Sequence, residues 1–238
     1  MMRKCSLTLF LLLVVTVPFL LLGTGSGRAD ENGRRKGPVG LLKTIPIPGT
    51  LANTTNGNLY SFDISWVDQR TQTYYLADRS NAVVDVVNAK TGTFVGQIPG
   101  GFKGVAVVGG VVQGGQSGPN GVVTGGHCLF VTDAPSRVVS FNLTSPFPPP
   151  VVNAVSTGGA DGFRADELAY DPKDGLLLVI NPNDPTPFGT FIRVNKSTCA
   201  LENHSERYYR RGGGVSGAIL RTGRPHRRSA SRSACRLQ

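Results

Sequence analysis

Four polar residues, Asp63, Asn120, Asp166 and Glu167, sit at the openings of three β-like runs, DISWVD, NGVVTG and DELAYD. Carboxylate and amide oxygens repeated at the starts of successive strands can converge on one point. Such a set suits a hard cation such as Ca²⁺, which gathers oxygen ligands. A bound divalent ion could then polarise an ester carbonyl or activate water. The same side chains can instead cap strand ends and hold turns by hydrogen-bonding exposed backbone.

Other reactive residues carry less. His127 precedes Cys128, but neighbours on a strand point to opposite faces and cannot serve each other. His204 and His226 have no accompanying G-x-S-x-G motif. GGVVQGGQSGPNG lacks the lysine and following helix of a phosphate loop and reads as a long loop. No C-x-x-C or His-Cys cluster is visible, which argues against a structural zinc site. Cys128 and Cys199 can bridge or remain two buried thiols, and sequence leaves both open.

The elements that must position these residues are short strands. TYYLADRSNAVVDVVNAKTGTFVGQI reads as strands at Tyr74–Ala77, Ala82–Val87 and Thr93–Ile98, with turns at Asp78–Asn81 and Asn88–Gly92. The order returns in HCLFVTDAPSRVVSFNL, where Asp133 matches Asp78, and more loosely in GLLLVINPNDPTPFGTFIRVN. With the leading run of each copy, this is a quartet of strands recurring at the interval of a β-propeller blade. Helical periodicity is absent. SPFPPP, from Ser145 to Pro150, reads as a stiff connector between blades.

YLADRSNAVVDVVNAKTGTFVGQI resembles the blade motif of YVTN-type and lactonase-like propellers: a strand ending in Asp, a polar turn, a second strand and a T-G hairpin. GPNGVV and ADELAYDP are similar to the starts of innermost strands in exported propellers of this group. The resemblance covers roughly Leu59 to Glu202. It implies an all-β fold, a partial β-propeller of about three blades of four-stranded antiparallel sheets. For activity it implies either a non-catalytic binding or scaffold protein for a small molecule or another protein, or a metal-dependent lactonase or gluconolactonase-type hydrolase. In the second case Asp63, Asn120, Asp166 and Glu167 would hold a divalent cation such as Ca²⁺.

Charge and hydropathy divide the chain further. The net charge is +10, but the final 32 residues carry nine arginines and no acid, leaving the preceding body close to neutral. Nucleic acid is therefore not expected as a partner of the folded part. At the other end, Arg3 and Lys4 precede the uncharged run Leu7–Leu22, and small residues follow. This is the pattern of a secretory signal peptide cleaved before Asp30. Export to a periplasm or extracellular space is expected, with membrane contact only through the signal segment if it stays uncleaved. The sequence thus divides into a signal peptide (1–29), a linker and lead-in strand (30–58), an incomplete propeller (59–206) and an Arg-rich tail (207–238). Arg, Gly, Ala, Pro and Ser are what GC-rich codons encode out of frame, so the tail reads as frameshifted or as a disordered arm. Four Asn-x-Ser/Thr sequons begin at Asn53, Asn142, Asn195 and Asn203, without a source to say whether they are used.

Overall fold

The computed structural model describes residues 40–160, 162–209 and 219–220, with side chains through Glu202. The signal-peptide run, most of the Arg-rich segment and the Asn203 side chain lie outside the described residues. Among the described residues no helix is long and apolar enough to cross a membrane.

The fold is all-β, built as consecutive antiparallel sheets. Blade 1 contains β1 (Phe62–Asp68), β2 (Thr73–Asp78), β3 (Val83–Asn88) and β4 (Thr93–Pro99), hydrogen-bonded in that order. A small hairpin of β5 (Val107–Val108) and β6 (Val111–Val112) follows, then a single 3₁₀ turn at Gly114–Gln116. Blade 2 contains β7 (Val122–Gly125), β8 (Cys128–Asp133), β9 (Arg137–Asn142) and β10 (Val151–Ser156). Blade 3 contains β11 (Leu168–Asp171), β12 (Leu176–Asn181), β13 (Phe188–Val194) and β14 (Leu201–Tyr209), and β15 (Ile219–Leu220) pairs with β14. β14 therefore runs across the 206/207 boundary, and Arg207 and Tyr208 pair with Leu220 and Ile219.

Alternating side chains make two cores, one at each blade interface. Tyr75, Val84, Val86 and Ile98 of blade 1 pack on Val122, Leu129, Val131, Val139 and Phe141 of blade 2. The opposite face of blade 2, with Val123, Phe130 and Val138, packs on Leu177, Val179, Ile192 and Val194 of blade 3. Period-2 alternation is thus apolar on both sides of the middle sheet, as expected of a sheet covered on both faces. The innermost strands β1, β7 and β11 lie side by side.

SPFPPP joins β9 to β10 inside blade 2 and is not a connector between blades. Strands flank either kind of loop, so flanking strands could not separate the two. Its Phe147 ring lies over Gly96 of blade 1, where a side chain would collide with it. GGVVQGGQSGPNG does link two blades, but its first valines form the strand β6 that closes the small hairpin.

A polar side chain at or just after the end of each second strand is a fastener. In blade 2 the Asp133 carboxylate accepts the Lys103 amide at 3.1 Å and the Arg137 Nη2 at 2.6 Å. Lys103 comes four residues after Pro99, the end of outer strand β4. In blade 3, Asp184 accepts the Ala160 amide at 2.6 Å, four residues after Ser156 ends outer strand β10. In blade 1, Asn81, held by Asp78, accepts the Thr50 amide at 3.0 Å. By the same offset, Lys43–Pro46 stands where the outer strand of a preceding blade would stand.

Two further features agree with that placement. Gln97 of outer strand β4 donates to the Pro48 carbonyl at 2.9 Å, as Asn153 of outer strand β10 donates to Leu201 of outer strand β14 at 2.7 Å. In TIPIP, Pro46 and Pro48 remove the N–H groups from one edge, as at the solvent edge of a sheet.

The tight seam between innermost strands gives a direct test. A side chain at Gly121 would meet the Asp166 carbonyl and the Leu168 side chain. The first is backbone and cannot rotate away. Gly121→Ala should cost about 2 kcal/mol, in the range of overpacked core sites. A lowered denaturation midpoint with unchanged slope checks this. An unaltered midpoint would show that the seam is looser than described.

Candidate functional site

Asp63, Asn120 and Asp166 precede or open the innermost strands, and the blades carry them to one mouth. Asn120 is anchored there by its backbone: its carbonyl accepts the Ile64 amide at 3.0 Å and its own amide donates to Thr132 at 2.9 Å. Its side-chain Nδ2 donates to the Ala165 carbonyl at 2.8 Å. Thr132 Oγ1 donates to the Asp166 carbonyl and accepts the Gly121 amide at 2.6 Å. The three blades are therefore stitched together by backbone at the same place where the polar side chains meet.

Two arginines that the motif reading did not single out occupy the middle of this mouth. Arg79, in the β2–β3 turn, pairs with Asp63 Oδ2 and donates to Asn120 Oδ1 through Nε at 3.1 Å and Nη2 at 2.8 Å. Arg164, two residues ahead of Asp166, reaches Asp63 Oδ2 at 3.1 Å and Asp166 Oδ2 at 2.7 Å. It also donates to the Gly114 carbonyl at 3.1 Å and to Asn183 Oδ1 at 3.1 Å. The order Arg79–Asp63–Arg164–Asp166 alternates in sign, with two positive and two negative groups.

Glu167 does not join this chain. It is exposed, and its backbone carbonyl accepts the Ile180 amide at 2.9 Å. Asp166 and Glu167 both precede β11, and of the two only Asp166 is buried at the mouth. Burial pushes the Asp166 carboxyl up, Arg164 opposes that shift, and Asp63 and Glu167 add to it. Burial also lowers the Arg79 guanidinium, with Asp63 acting in the opposite direction.

The donor set does not fit a hard cation. One oxygen from each of Asp63, Asn120 and Asp166 already accepts from a guanidinium. A divalent ion would have to enter beside two fixed positive charges. Arg79 was legible only as part of the Asp78–Asn81 turn and Arg164 not at all, because their approach to Asp63 comes from the packing of three blades.

Cys128 and Cys199 are joined by a disulfide, with Cα atoms 5.4 Å apart, and it ties blade 2 to the β13–β14 turn of blade 3. His127 does approach them, contrary to the expectation from strand alternation. It lies in the β7–β8 turn, ahead of the strand, so the two-residue period does not apply to it. One donor atom of His127 and the two sulfurs lie within 4.8 Å of one another.

The sequons are partly absorbed by turns. Asn142 and Asn195 accept backbone amides two residues on, at 2.9 and 3.0 Å, and Asn53 donates to Asn58 O at 2.8 Å. No family model matches the chain, and no curated protein matches it.

Proposed function

We propose that the chain is part of an exported β-propeller of the YVTN-type or lactonase-like group. It binds a small molecule or another protein and does not catalyse a reaction. The observation that carries this reading is the mouth itself. Asp63, Asn120 and Asp166 converge as a hydrolase would need, but Arg79 and Arg164 already engage their oxygens. What remains is a charge-balanced, hydrogen-bonded floor. Beside it stands the β5–β6 hairpin, with Val107, Val108, Val111 and Val112 all exposed. Polar floor and apolar rim together make a recognition surface.

Export rests on the basic start, the apolar run Leu7–Leu22 and the small residues after it. The Cys128–Cys199 bridge suits the same compartment. The described residues hold three blades, fewer than the roughly four to eight with which propellers usually close. Nucleic acid is set aside as a partner of the folded body, which is near neutral.

Calcium titration of the full chain separates this reading from the hydrolase. Added Ca²⁺ should leave the thermal midpoint unchanged. A true site saturated a hundredfold above its Kd would contribute about 2.7 kcal/mol and raise the midpoint by several degrees. Such a rise, lost in Asp166→Ala, would restore the metal-dependent hydrolase.

A further inference from the structure

We propose that His127, Cys128 and Cys199 form a binding site for a soft cation, copper(I), when the bridge between the two cysteines is reduced. The cluster lies on the loops at the far end of the strands from the arginine-filled mouth and is independent of it.

The first support is the backbone under Cys199. It has φ +65°, the same left-handed conformation as Gly92 at φ +61°. The two turns are built alike. Gly92 N donates to Asn88 O and Cys199 N to Asn195 O, each at 2.8 Å. The Asn88 and Asn195 side chains each cap the next two free amides, at 3.0 to 3.1 Å. Glycine adopts this conformation without steric cost, whereas a residue with a Cβ is strained there. Blade 3 places a cysteine where blade 1 has the easier residue, and what that position gains is a sulfur facing Cys128.

The second support is the imidazole. His127 Nε2 lies 3.3 Å from the Ser197 carbonyl, which belongs to the same turn as Cys199. A carbonyl only accepts, so in this contact Nε2 carries a proton and the neutral ring has its lone pair on Nδ1. Metal-binding histidines are commonly oriented in this way by their other ring nitrogen. His127 also lines an open hollow of about 390 Å³ with Arg70, Thr73, Tyr75 and Leu143, which provides access from solvent. The sulfurs themselves are buried.

The ligand chemistry selects the ion. Two thiolates and an imidazole are soft donors that favour copper(I) or zinc over calcium or magnesium. Among the described residues the cluster contains three such groups, all within 4.8 Å of one another. Three protein donors fall short of the closed four-ligand set of structural zinc, and two thiolates among three donors suit copper(I), with zinc plus an added water as the competing outcome of the test. Opening the site breaks the S–S bond, which takes up two electrons and two protons from a dithiol that is itself oxidised to a disulfide. Uptake of the ion then releases the two thiol protons to solvent. The oxidised chain, whose sulfurs are bonded to each other, has no such site.

The test uses the full chain carrying Cys5→Ser and Cys235→Ser, so that only the two clustered thiols respond. After anaerobic reduction, copper(I) is offered from a chromogenic chelator complex, with zinc as a separate arm. One copper(I) per chain is expected, with both thiols protected from a thiol reagent and the β-sheet circular dichroism retained. The oxidised chain should take up none. His127→Ala, which leaves the bridge and fold intact, should weaken uptake in the reduced state at least tenfold. Equal affinity in that variant, preference for zinc, uptake only with loss of the β signal, or no stoichiometric uptake would each overturn the proposal.

Discussion

Asp85→Asn should stabilise the protein by about 4 kcal/mol at pH 8 and by almost nothing at pH 3. Asp85 sits mid-strand in β3, fully buried in the run VVDVV, and its cross-strand partner is Leu76. At the matching register of blade 2, Val131 pairs with Val139, so an apolar side chain satisfies the same place. Gln97 donates to Asp85 Oδ1 at 3.0 Å, while Oδ2 is buried without a donor. Burial pushes this carboxyl up from 3.8 to about 7; Gln97 opposes the shift, and the nearby Asp78 carboxylate adds to it.

The direction of the pH effect follows from the raised value. Below about pH 4 both the folded and unfolded chains hold the proton, and Asp85 costs nothing. Between pH 4 and 7 the unfolded chain has lost the proton and the folded chain keeps it, so stability falls as pH rises. Above pH 7 the penalty levels off at about 4 kcal/mol, from about three units at 1.36 kcal/mol each. The amide has no proton to lose and stays neutral across the whole range. Denaturant unfolding at pH 4, 6 and 8 should therefore show the variant's advantage growing with pH. An advantage that is equal at all three values would refute the raised Asp85 carboxyl.

Removing the disulfide by Cys128→Ala with Cys199→Ala should cost about 4 kcal/mol. The bridge closes a loop over a sequence separation of 71 residues, for which the chain-entropy account gives a value of that order. It also holds blade 2 to blade 3 at the outer end of their interface. A second pair, Cys128→Ala with Cys199→Gly, separates two causes. Glycine removes the strain at φ +65° but also loosens the unfolded chain. If strain at Cys199 matters, the glycine pair should be more stable than the alanine pair by about 1 kcal/mol. Equal denaturation midpoints for the two pairs would show that Cys199 is unstrained and would weaken the case for its sulfur being held there at a cost.

The strands were legible for a simple reason. Tyr74–Ala77, Ala82–Val87 and Thr93–Ile98 lie within β2, β3 and β4 to about a residue, because alternating β-branched residues and Asn-Gly turn chemistry are local signals. The equivalence of Asp78 and Asp133 was also local, since each ends a strand of the same pattern. The role of those aspartates was not. Whether Asp133 holds a metal or the amide of Lys103 depends on where a connection 30 residues away happens to pass.

The β5–β6 hairpin was missed because its strands are two residues long, too short for any period to show. His127 was misjudged because strand alternation was applied to a turn. The mouth shows the limit most clearly. Asp63, Asn120 and Asp166 could be placed together from the repeat alone, because a repeat maps like positions onto like positions. Glu167 could not, since it and Asp166 both precede β11 and only Asp166 is buried at the mouth. Arg79 and Arg164 come from a turn and a connection, which have no period. By itself the sequence determined the all-β class, the four-strand blade and the convergence of three inner-strand openings, since these follow from side-chain alternation and repetition. Only the tertiary structure decided that guanidiniums occupy the mouth and that Cys128 meets Cys199 beside His127. Those contacts join residues far apart in the chain, and their energies depend on burial and distance that no local pattern encodes.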